Sequence, residues 1–284
     1  MKLIADSGST KTDWVLIDGT TVVARYLTQG INPFHQSEND ILTILRLELL
    51  PQLPSDRLQA TDDALQIYFY GSGVRPELEP LMRRLLTEVF PHSEVVSAHG
   101  DLLGAARAVC GNSPGVAAIL GTGANSGLYD GTRIVQNTPP LGYILGDEGS
   151  GAVLGERFLN ALYKGFLPAT LLEAFEHDQQ MDMATVISRV YRQPMANRFL
   201  ASLSPFISSH LDVPEVSQLV VDNFRSFFRR NVVQYQHPEL PVGFVGSVAY
   251  YYQRQLQEAA AVEGFTVGSI LKSPIEGLVQ YHSS

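Results

Sequence analysis

Apolar residues along the chain form short runs near the N-terminus, separated by polar turns. Residues 3–5, 14–17 and 22–24 are apolar; a Gly/Ser/Thr loop separates the first two runs, and the turn Asp18-Gly19-Thr20 separates the last two. Asp-Gly between β-rich runs is a strong signal for a hairpin. The pattern therefore predicts one strand followed by a β-hairpin.

The same order of elements recurs in the middle of the chain. Residues 116–120 are apolar, a second Gly/Thr loop follows at 121–126, and a second Asp-Gly-Thr turn begins at Asp130. The two turns, at Asp18 and Asp130, are 112 residues apart. Repetition at this spacing predicts a duplicated three-stranded unit.

The remaining apolar residues mostly follow a helical period. Residues 37–50 show it, with Ser37 and Asp40 as a capping pair, and so do residues 76–89 and most of 151–230. Short segments at 67–70, 94–96 and 242–245 are read as buried strands between helices. The chain is therefore predicted to be an α/β protein with mixed sheets and two similar halves, a first domain at 1–106 and a second at 107–284.

Composition narrows the function classes. The 284 residues are 45% hydrophobic and 17% charged, which suits a packed core, and the net charge of −9 comes without a basic stripe. Nucleic acid is therefore not an expected partner. Cys110 is the sole cysteine, so neither an internal disulfide nor a cysteine zinc site is expected. The apolar runs are too short for a membrane span or a signal core, which predicts a soluble, cytoplasmic protein without membrane contact.

Two loops have the composition of anion-binding turns. Glycine lets a backbone approach a phosphate closely, and hydroxyl groups add donors. The first loop contains Gly8, Ser9, Thr10 and Lys11; the second contains Gly121, Thr122, Gly123 and Ser126. Because the two loops occupy matching positions of the repeat, we interpret them as a pair that binds a polyphosphate. Asp6 at the end of the first strand is then a candidate to hold hydrated Mg²⁺.

Two further acidic positions have chemical potential. Asp147 and Glu148 are adjacent within the small-residue segment 146–151. Two neighbouring carboxylates repel each other and cost stability unless they bind a ligand, so the pair is a candidate binding site. Asp101 follows a short strand at the start of a predicted helix, where it is either a cap or a rigid general base. The sequence leaves both readings of Asp101 open.

Four motifs together resemble those of one known family. Asp6-Ser-Gly-Ser-Thr-Lys-Thr, Gly121-Thr-Gly-Ala-Asn-Ser, Gly146-Asp-Glu-Gly-Ser-Gly and Val245-Gly-Ser-Val-Ala resemble, in order, the two phosphate motifs, the Gly-Asp-Glu-Gly-Ser motif and the adenosine motif of the BadF/BadG/BcrA/BcrD-type ATPases. That family includes N-acetylglucosamine kinases and lies in the actin/sugar kinase/Hsp70 superfamily. The resemblance implies two ribonuclease-H-like (actin-like ATPase) domains with five-stranded sheets around a central cleft, holding ATP and Mg²⁺. It also implies that the last helix, at about 274–282, packs back on the first domain.

The resemblance further implies roles for individual residues. Asp101 matches the aspartate that deprotonates the sugar hydroxyl, and Asn32, Ser72 and Asp147 match sugar contacts. Thr122 is expected to contact both phosphate and sugar, while Gly246 and Ser247 are expected to flank the adenosine. The implied activity is ATP-dependent phosphorylation of an amino sugar, with N-acetylglucosamine as the first candidate.

Three alternatives accompany this interpretation. An activator ATPase that bridges an iron–sulfur cluster across a dimer is excluded in practice, because one cysteine per subunit cannot supply four ligands. A non-catalytic sugar or nucleotide sensor on the same fold stays open. So does another acceptor, such as N-acetylmuramic acid or glucosamine. Related kinases are often homodimers, but the sequence shows no interface.

Overall fold

The structure, a computed structural model, describes residues 1–8, 10–54 and 65–283. The chain forms two compact units: Met1–Asn112 together with the segment from Pro274 onward, and Ser113–Ser273. The predicted boundary after residue 106 falls inside a helix, Asp101–Cys110, that belongs wholly to the first unit. Among the described residues, no helix is both long and apolar enough to cross a membrane.

The first unit is built on a five-stranded mixed sheet. Its strands are β1 (Lys2–Ser7), β2 (Lys11–Asp18), β3 (Thr21–Gln29), β4 (Gln66–Gly71) and β5 (Val95–Gly100), in the order β3-β2-β1-β4-β5. β1 is antiparallel to β2 and parallel to β4, and β5 is parallel to β4. The predicted hairpin with its turn at Asp18 is confirmed.

The helices of the first unit follow the predicted period with one change. They are α1 (Glu38–Thr43), α2 (Glu79–Val89) and α3 (Asp101–Cys110). Ser37 and Asp40 form the expected capping box at the start of α1. The predicted helix over 37–50 continues after Thr43 as a π-helical segment, Ile44–Leu49, so its hydrogen-bond pattern changes while Ile44, Leu45 and Leu49 stay buried in the core.

The C-terminal helix (Ile275–Ser283) covers the other face of this sheet. Ile275 and Leu278 pack on Ile4 and Val15, and a Cβ on Gly277 would lie 2.5 Å from the carbonyl oxygen of Ala108 in α3. The helix therefore lies in close backbone contact with α3, which only glycine allows at this position.

Polar contacts of His282 complete the attachment of the C-terminal helix. The His282 ring is buried, stacks on Tyr68 with centroids 3.9 Å apart, and its Nε2 lies 2.9 Å from the hydroxyl of Tyr70. Arg107 of α3 donates to the same hydroxyl at 2.6 Å, and Lys2 Nζ donates to the carbonyl oxygen of His282. Residues from both ends of the chain thus stabilise one layer.

The second unit repeats the sheet of the first. Its strands are β6 (Gly115–Leu120), β7 (Ala124–Tyr129), β8 (Ile134–Asn137), β9 (Val242–Val245) and β10 (Val267–Leu271), in the order β10-β9-β6-β7-β8. β6 is antiparallel to β7 and parallel to β9. The predicted duplication of the three-stranded unit is therefore confirmed, and each half extends it by two parallel strands.

A large helical layer lies between β8 and β9 in the chain. Its helices are α4 (Gly142–Leu145), α5 (Gly151–Tyr163), α6 (Ala169–Gln179), α7 (Met183–Tyr191), α8 (Ala196–Ser202), α9 (Ser204–Ser208) and α10 (Pro214–Arg230). After β9 follow α11 (Ser247–Tyr251) and α12 (Gln253–Glu263). Buried aromatic residues, including Phe158, Phe175, Phe224 and Phe227, form the core of this unit with the apolar residues of β6 and β9.

Candidate functional site

In the first unit, the candidate residues gather where three parallel strands end. β1, β4 and β5 end at Ser7, Gly71 and Gly100, and the carboxyl ends of parallel strands meet at one edge of a sheet. The amide of Ser72 donates to the carbonyl oxygen of Ser7 at 2.8 Å, and a Cβ on Gly100 would lie 3.0 Å from the carbonyl oxygen of Val74. The loop after β4 therefore lies against the first turn of α3, where Asp101 is found.

Asn32 lies at the same edge of the sheet. Gly73 has a φ of +76°, and a Cβ on it would lie 2.1 Å from Oδ1 of Asn32. The backbone amide of Asn32 donates to Gln36 Oε1 at 2.7 Å, and the side-chain oxygen Oδ1 of Asn32 accepts from the backbone amide of Phe34 at 3.0 Å. The fold thus brings the loops of Asn32 and Ser72, two predicted sugar contacts, into contact with each other.

Ser7 at the end of β1 holds the loop of Asn32 in place through hydrogen bonds. Sequence reasoning did not single out this residue. Its buried hydroxyl donates to the Ile31 carbonyl at 2.9 Å, accepts from the Ile31 amide at 2.9 Å, and lies 2.7 Å from the hydroxyl of Thr12. The residue before Asn32 is thereby attached to the end of β1. A serine at a buried strand position was the only available signal.

Asp101 is the first residue of α3, and its carboxyl group is perturbed. Gly100 occupies the N-cap position, so Asp101 is not the cap residue itself. Burial raises the pKa of Asp101 above its usual value, while hydrogen bonds from the amides of Leu102 and Asp101 act in the opposite direction. A carboxylate with a raised pKa is a stronger base than one in water, which suits proton abstraction.

The turn after β1 presents exposed polar groups. The Gly8 amide donates to the Lys11 carbonyl at 3.0 Å, so this amide closes the turn, and the Thr10 and Lys11 side chains are exposed. Lys11 Nζ lies 2.8 Å from Oδ2 of Asp13. The candidate phosphate contact Ser9 lies outside the described residues.

Asp6, the candidate metal ligand, is partly buried on β1 and in register with Asp13 of β2. Facing residues of an antiparallel pair point to the same side of the sheet, so the two carboxylates are neighbours. Within the described residues, no group of three or more His, Cys, Asp or Glu side chains is arranged to hold a metal.

In the second unit, the turn after β6 is held by other elements of the unit. The Gly121 amide donates to the Gly123 carbonyl at 3.0 Å, and Thr122 is exposed. The first amides of α5 donate to this turn: Gly151 to the Gly121 carbonyl at 2.8 Å and Ala152 to the Thr122 carbonyl at 3.1 Å. The N-terminus of α5 therefore fixes the candidate phosphate turn.

Gly246, in the adenosine-like motif, lies against the same turn. Its φ is +124°, and a Cβ would lie 2.3 Å from the Leu120 carbonyl oxygen. Ser247 follows as the exposed first residue of α11. Tyr251 at the end of α11 and Lys272 directly after β10 are both exposed, and Lys272 Nζ lies 2.6 Å from the Tyr251 hydroxyl. No motif in the sequence had singled out that pair.

Asp147 lies beside this turn with a constrained backbone. Its φ is +54°, its amide donates to the Pro140 carbonyl at 2.9 Å, and a Cβ on Gly123 would lie 3.0 Å from its Oδ2. Burial raises its pKa; the hydrogen bond from the Ala124 amide lowers it, and the charge of Glu148 raises it. The carboxyl group is thus held at the start of β7.

Glu148 has different partners from Asp147. Asn231 Nδ2 donates to Glu148 Oε2 at 3.3 Å, and Arg230 Nε lies 3.7 Å from Oε1. The glycines that follow have packing roles: a Cβ on Gly149 would lie 2.8 Å from Phe227, and one on Gly151 would lie 3.2 Å from the Gly121 carbonyl oxygen. Much of the small-residue segment is therefore explained by close packing.

One predicted donor is wrong. Ser126 was expected to offer its hydroxyl to phosphate, but its side chain is buried and lies 2.7 Å from the hydroxyl of Tyr235. Ser126 is the third residue of β7 and points into the core. The alternation of side chains along a strand takes it away from the turn.

Comparison with solved structures shows what this chain is similar to. A "Putative N-acetylglucosamine Kinase" from Porphyromonas gingivalis is 49% identical, with 100% of this chain and 99% of that chain covered and a TM-score of 0.91. A protein of the same name from Chromobacterium violaceum is 20% identical, with 99% of this chain and 98% of that chain covered and a TM-score of 0.61. The ROK hexokinase of Thermus thermophilus is 14% identical, with 98% and 97% covered and a TM-score of 0.55.

The last two similarities concern the fold alone, whereas the first shows the family. The chain belongs to the N-acetylglucosamine kinase-like branch of the BadF/BadG/BcrA/BcrD-type ATPases, which have the actin-like fold of sugar kinases. No protein-family model and no curated protein matches the chain.

Proposed function

We propose that the protein is an ATP-dependent kinase that phosphorylates a hydroxyl group of an amino sugar, with N-acetylglucosamine as the preferred acceptor. The observation that carries this proposal is the edge of the first sheet. There, a carboxyl group with a raised pKa, Asp101, follows a strand whose end adjoins the loops of Asn32 and Ser72. The similarity to the protein from Porphyromonas gingivalis supports the choice of sugar.

In this proposal Asp101 is the general base. Its carboxylate takes the proton from the acceptor hydroxyl as that oxygen bonds to the γ-phosphorus of ATP, and the bond from phosphorus to the bridging oxygen breaks to release ADP. Such a base contributes about 10²–10⁴-fold to the rate. Phosphoryl transfer otherwise depends on positioning and charge neutralisation, because its transition state is loose.

Each proposed sugar contact is held in place within its own unit. Asn32 and Ser72 lie on loops that the Ser7 hydrogen bonds and Gly73 hold in place. Asp147 is held by the Ala124 amide. Rigid placement of hydrogen-bonding groups lowers the entropy lost when a sugar is ordered for reaction.

Phosphate contacts in this proposal come from the two turns. The amides of Gly8 and Gly121 close their turns, so the exposed side chains of Thr10, Lys11 and Thr122 are the leading donors. Gly123 keeps the second turn open to a close approach. Gly246 and Ser247 are the proposed contacts of the adenosine.

The carboxylate chemistry of Asp6 fits Mg²⁺, which prefers a few carboxylates together with water and phosphate oxygens. Asp6, beside Asp13, is the residue that would hold the ion, directly or through water. Bound Mg²⁺ would neutralise charge on the phosphates of ATP. Lys11, paired with Asp13, adds positive charge to the same turn.

A coupled assay of ADP release tests the proposal. We expect ADP release to rise strongly when N-acetylglucosamine is added, with glucosamine, N-acetylmuramic acid and glucose as comparison acceptors. Stimulation by a different amino sugar alone would change the acceptor but keep the kinase. Binding of ATP and sugar without turnover would contradict the kinase proposal and indicate a sensor.

A further inference from the structure

The second unit contains a cavity of about 520 Å³ that none of the residues predicted to contact ATP or the sugar lines. One wall is formed by the end of β8 and the segment through α4 to Glu148, and the other by Arg230, Asn231 and Gln234. Its volume is within the range of about 300–1,000 Å³ that is usual for small-molecule sites. We refer to it as the β8–α10 cavity.

Hydrogen bonds tie the two walls together. Thr138 Oγ1 donates to the Asn231 carbonyl at 3.1 Å, its amide donates to the Tyr235 hydroxyl at 3.1 Å, and Gln136 Nε2 donates to the Gln234 carbonyl at 3.3 Å. The link between Asn231 and Glu148 adds a fourth connection. The cavity is therefore a built feature of the unit.

The charges in the cavity cancel. Glu148 is the acidic lining residue and Arg230 the basic one, and they lie 3.7 Å apart. Glu148 has 17% of its side chain exposed, whereas Arg230 has 70% exposed. A phosphate or carboxylate ligand would compete with Glu148 for Arg230, so this lining favours an uncharged ligand.

The remaining lining matches carbohydrate. Four side chains with amide groups line it: Gln136, Asn137, Asn231 and Gln234. The Asn137 NH2 group is already used within the unit, so the other three side chains provide the combination of donors and acceptors that hydroxyl groups require. Exposed apolar groups of Leu141 and Leu145 lie beside them and suit the C–H face of a sugar ring.

The cavity adjoins the chain segment of Asp147, the predicted sugar contact, although Asp147 itself does not line it. Asp147 lies between the lining residues Gly146 and Glu148. On the other side, Asn137 Nδ2 donates to the Ser126 carbonyl at 2.6 Å and to Asn125 Oδ1 at 2.9 Å, in the strand whose first amide holds the Asp147 carboxylate.

We propose that the β8–α10 cavity is a carbohydrate subsite for an uncharged second sugar unit, linked to the sugar held at Asp147. This inference rests on the proposed function, because the first sugar is the one that the kinase phosphorylates. It extends the acceptor class from a single amino sugar to a short neutral saccharide.

The test compares the binding of one and two sugar units by isothermal titration calorimetry. The probes are N-acetylglucosamine and its β-1,4-linked dimer, each titrated into the full-length protein. We expect the dimer to bind about tenfold more tightly, since one or two net hydrogen bonds correspond to about that change in affinity. Equal affinity for both probes would overturn the subsite.

Gln234→Trp fills the cavity with a side chain, and Gln257→Trp on the exposed face of α12 is its matched control. The contact with Gln136 uses the carbonyl of Gln234, so the substitution leaves it intact. We expect Gln234→Trp to remove the preference for the dimer while N-acetylglucosamine still binds and is phosphorylated. The control variant is expected to keep the preference.

Other outcomes separate this inference from the proposed function. If neither sugar binds or is phosphorylated, the assignment of N-acetylglucosamine as the acceptor fails, and this inference fails with it. If N-acetylglucosamine is phosphorylated but Gln234→Trp keeps the preference for the dimer, only the subsite is wrong. Loss of N-acetylglucosamine binding in Gln234→Trp would place the reacting sugar in the cavity and overturn the assignment to a second unit. Tight binding of a disaccharide whose second ring carries a carboxylate would overturn its restriction to uncharged ligands.

Discussion

The two units share one strand order but hold the turn after their first strand differently. In the first unit, the turn is closed by contacts among β1, β2 and β3: Gly8 donates to Lys11, and Gly30 donates to Thr10. In the second unit, two amides of α5 and the backbone of Gly246 fix the turn at 121–123. The same sheet therefore supports one turn stabilised locally and one stabilised by elements distant in sequence.

The chain connections explain this difference. In the first unit the chain passes from β3 to β4 between Gln29 and Gln66, whereas in the second the helices α4–α10 lie between β8 and β9. The larger insertion supplies α5, whose N-terminus reaches the turn. A duplicated sheet can thus gain rigidity at one copy of a site without a change in strand order.

The largest expected effect comes from substituting Asp101 of the first unit, and the matching substitution of Asp147 in the second unit is expected to act differently. Asp101→Asn removes the proposed base, so we expect turnover to fall by about 10²–10⁴-fold with little change in ATP affinity. Asp147→Asn is expected to act mainly on the KM for the sugar. Steady-state kinetics check both, with exposed Asp18→Asn as the control. Near-normal turnover of Asp101→Asn would refute the assigned role.

The pH dependence of kcat/KM sharpens the role of Asp101. A base acts only when ionised, and the raised pKa of Asp101 means that protonation begins at a higher pH than for an ordinary aspartate. Below that pKa, we expect kcat/KM to fall about tenfold per pH unit. The acidic limb of the profile should therefore lie at a higher pH than the usual aspartate pKa of about 4. A limb at or below that value would mean that the base is not perturbed.

Glycine substitutions test the two ways of holding a turn. A Cβ at Gly246 meets the Leu120 carbonyl oxygen at 2.3 Å with φ at +124°, whereas at Gly8 the nearest atom is 3.7 Å away. We expect Gly246→Ala to lower the free energy of unfolding by about 1–3 kcal/mol, and Gly8→Ala to change it much less. Urea unfolding of both variants measures this. Similar losses would remove the contrast between the turns.

The buried His282 on the C-terminal helix predicts that the protein loses stability as the pH falls. Burial lowers the pKa of His282 to about 3, with the charges of Arg107 and Lys2 acting in the same direction. Between about pH 6.5 and 3 the unfolded chain binds a proton that the folded protein does not. This group therefore lowers stability as the pH falls, by up to about 1.4 kcal/mol per pH unit.

His282→Phe keeps an aromatic ring on Tyr68 but does not titrate. We expect this variant to lose less stability than the wild type between pH 6 and 4, in urea unfolding at each pH. An unchanged slope would show that other groups cause the acid sensitivity.

The smallest effect is expected at an exposed contact of the same helix. The two terminal guanidinium nitrogens of Arg25 contact Glu276, at 2.7 and 2.9 Å, but both side chains are largely exposed. Glu276→Gln should cost about 0.2–1 kcal/mol of unfolding free energy, less in high salt. A larger loss than His282→Phe shows at neutral pH would reverse the relative importance of the two contacts.

Local sequence chemistry was sufficient to predict the duplicated hairpins and the capping box at Ser37, because their determinants lie within a few residues. It was not sufficient for Ser126, whose partner Tyr235 is more than a hundred positions away in the chain. The hydrogen bonds of Ser7 to Ile31 were missed for the same reason. The glycines at 149 and 151 were correctly seen as unusual, but the surfaces that require them, Phe227 and the Gly121 carbonyl, become neighbours only in the fold.

The attachment of the C-terminal helix has a consequence for biosynthesis. A ribosome makes every residue of the second unit before it makes the helix that covers the β1–β2 face of the first. The second unit can therefore finish folding on the nascent chain while Ile4, Val15 and Tyr70 still await their partners. Until translation ends, that apolar layer is a potential binding surface for chaperones.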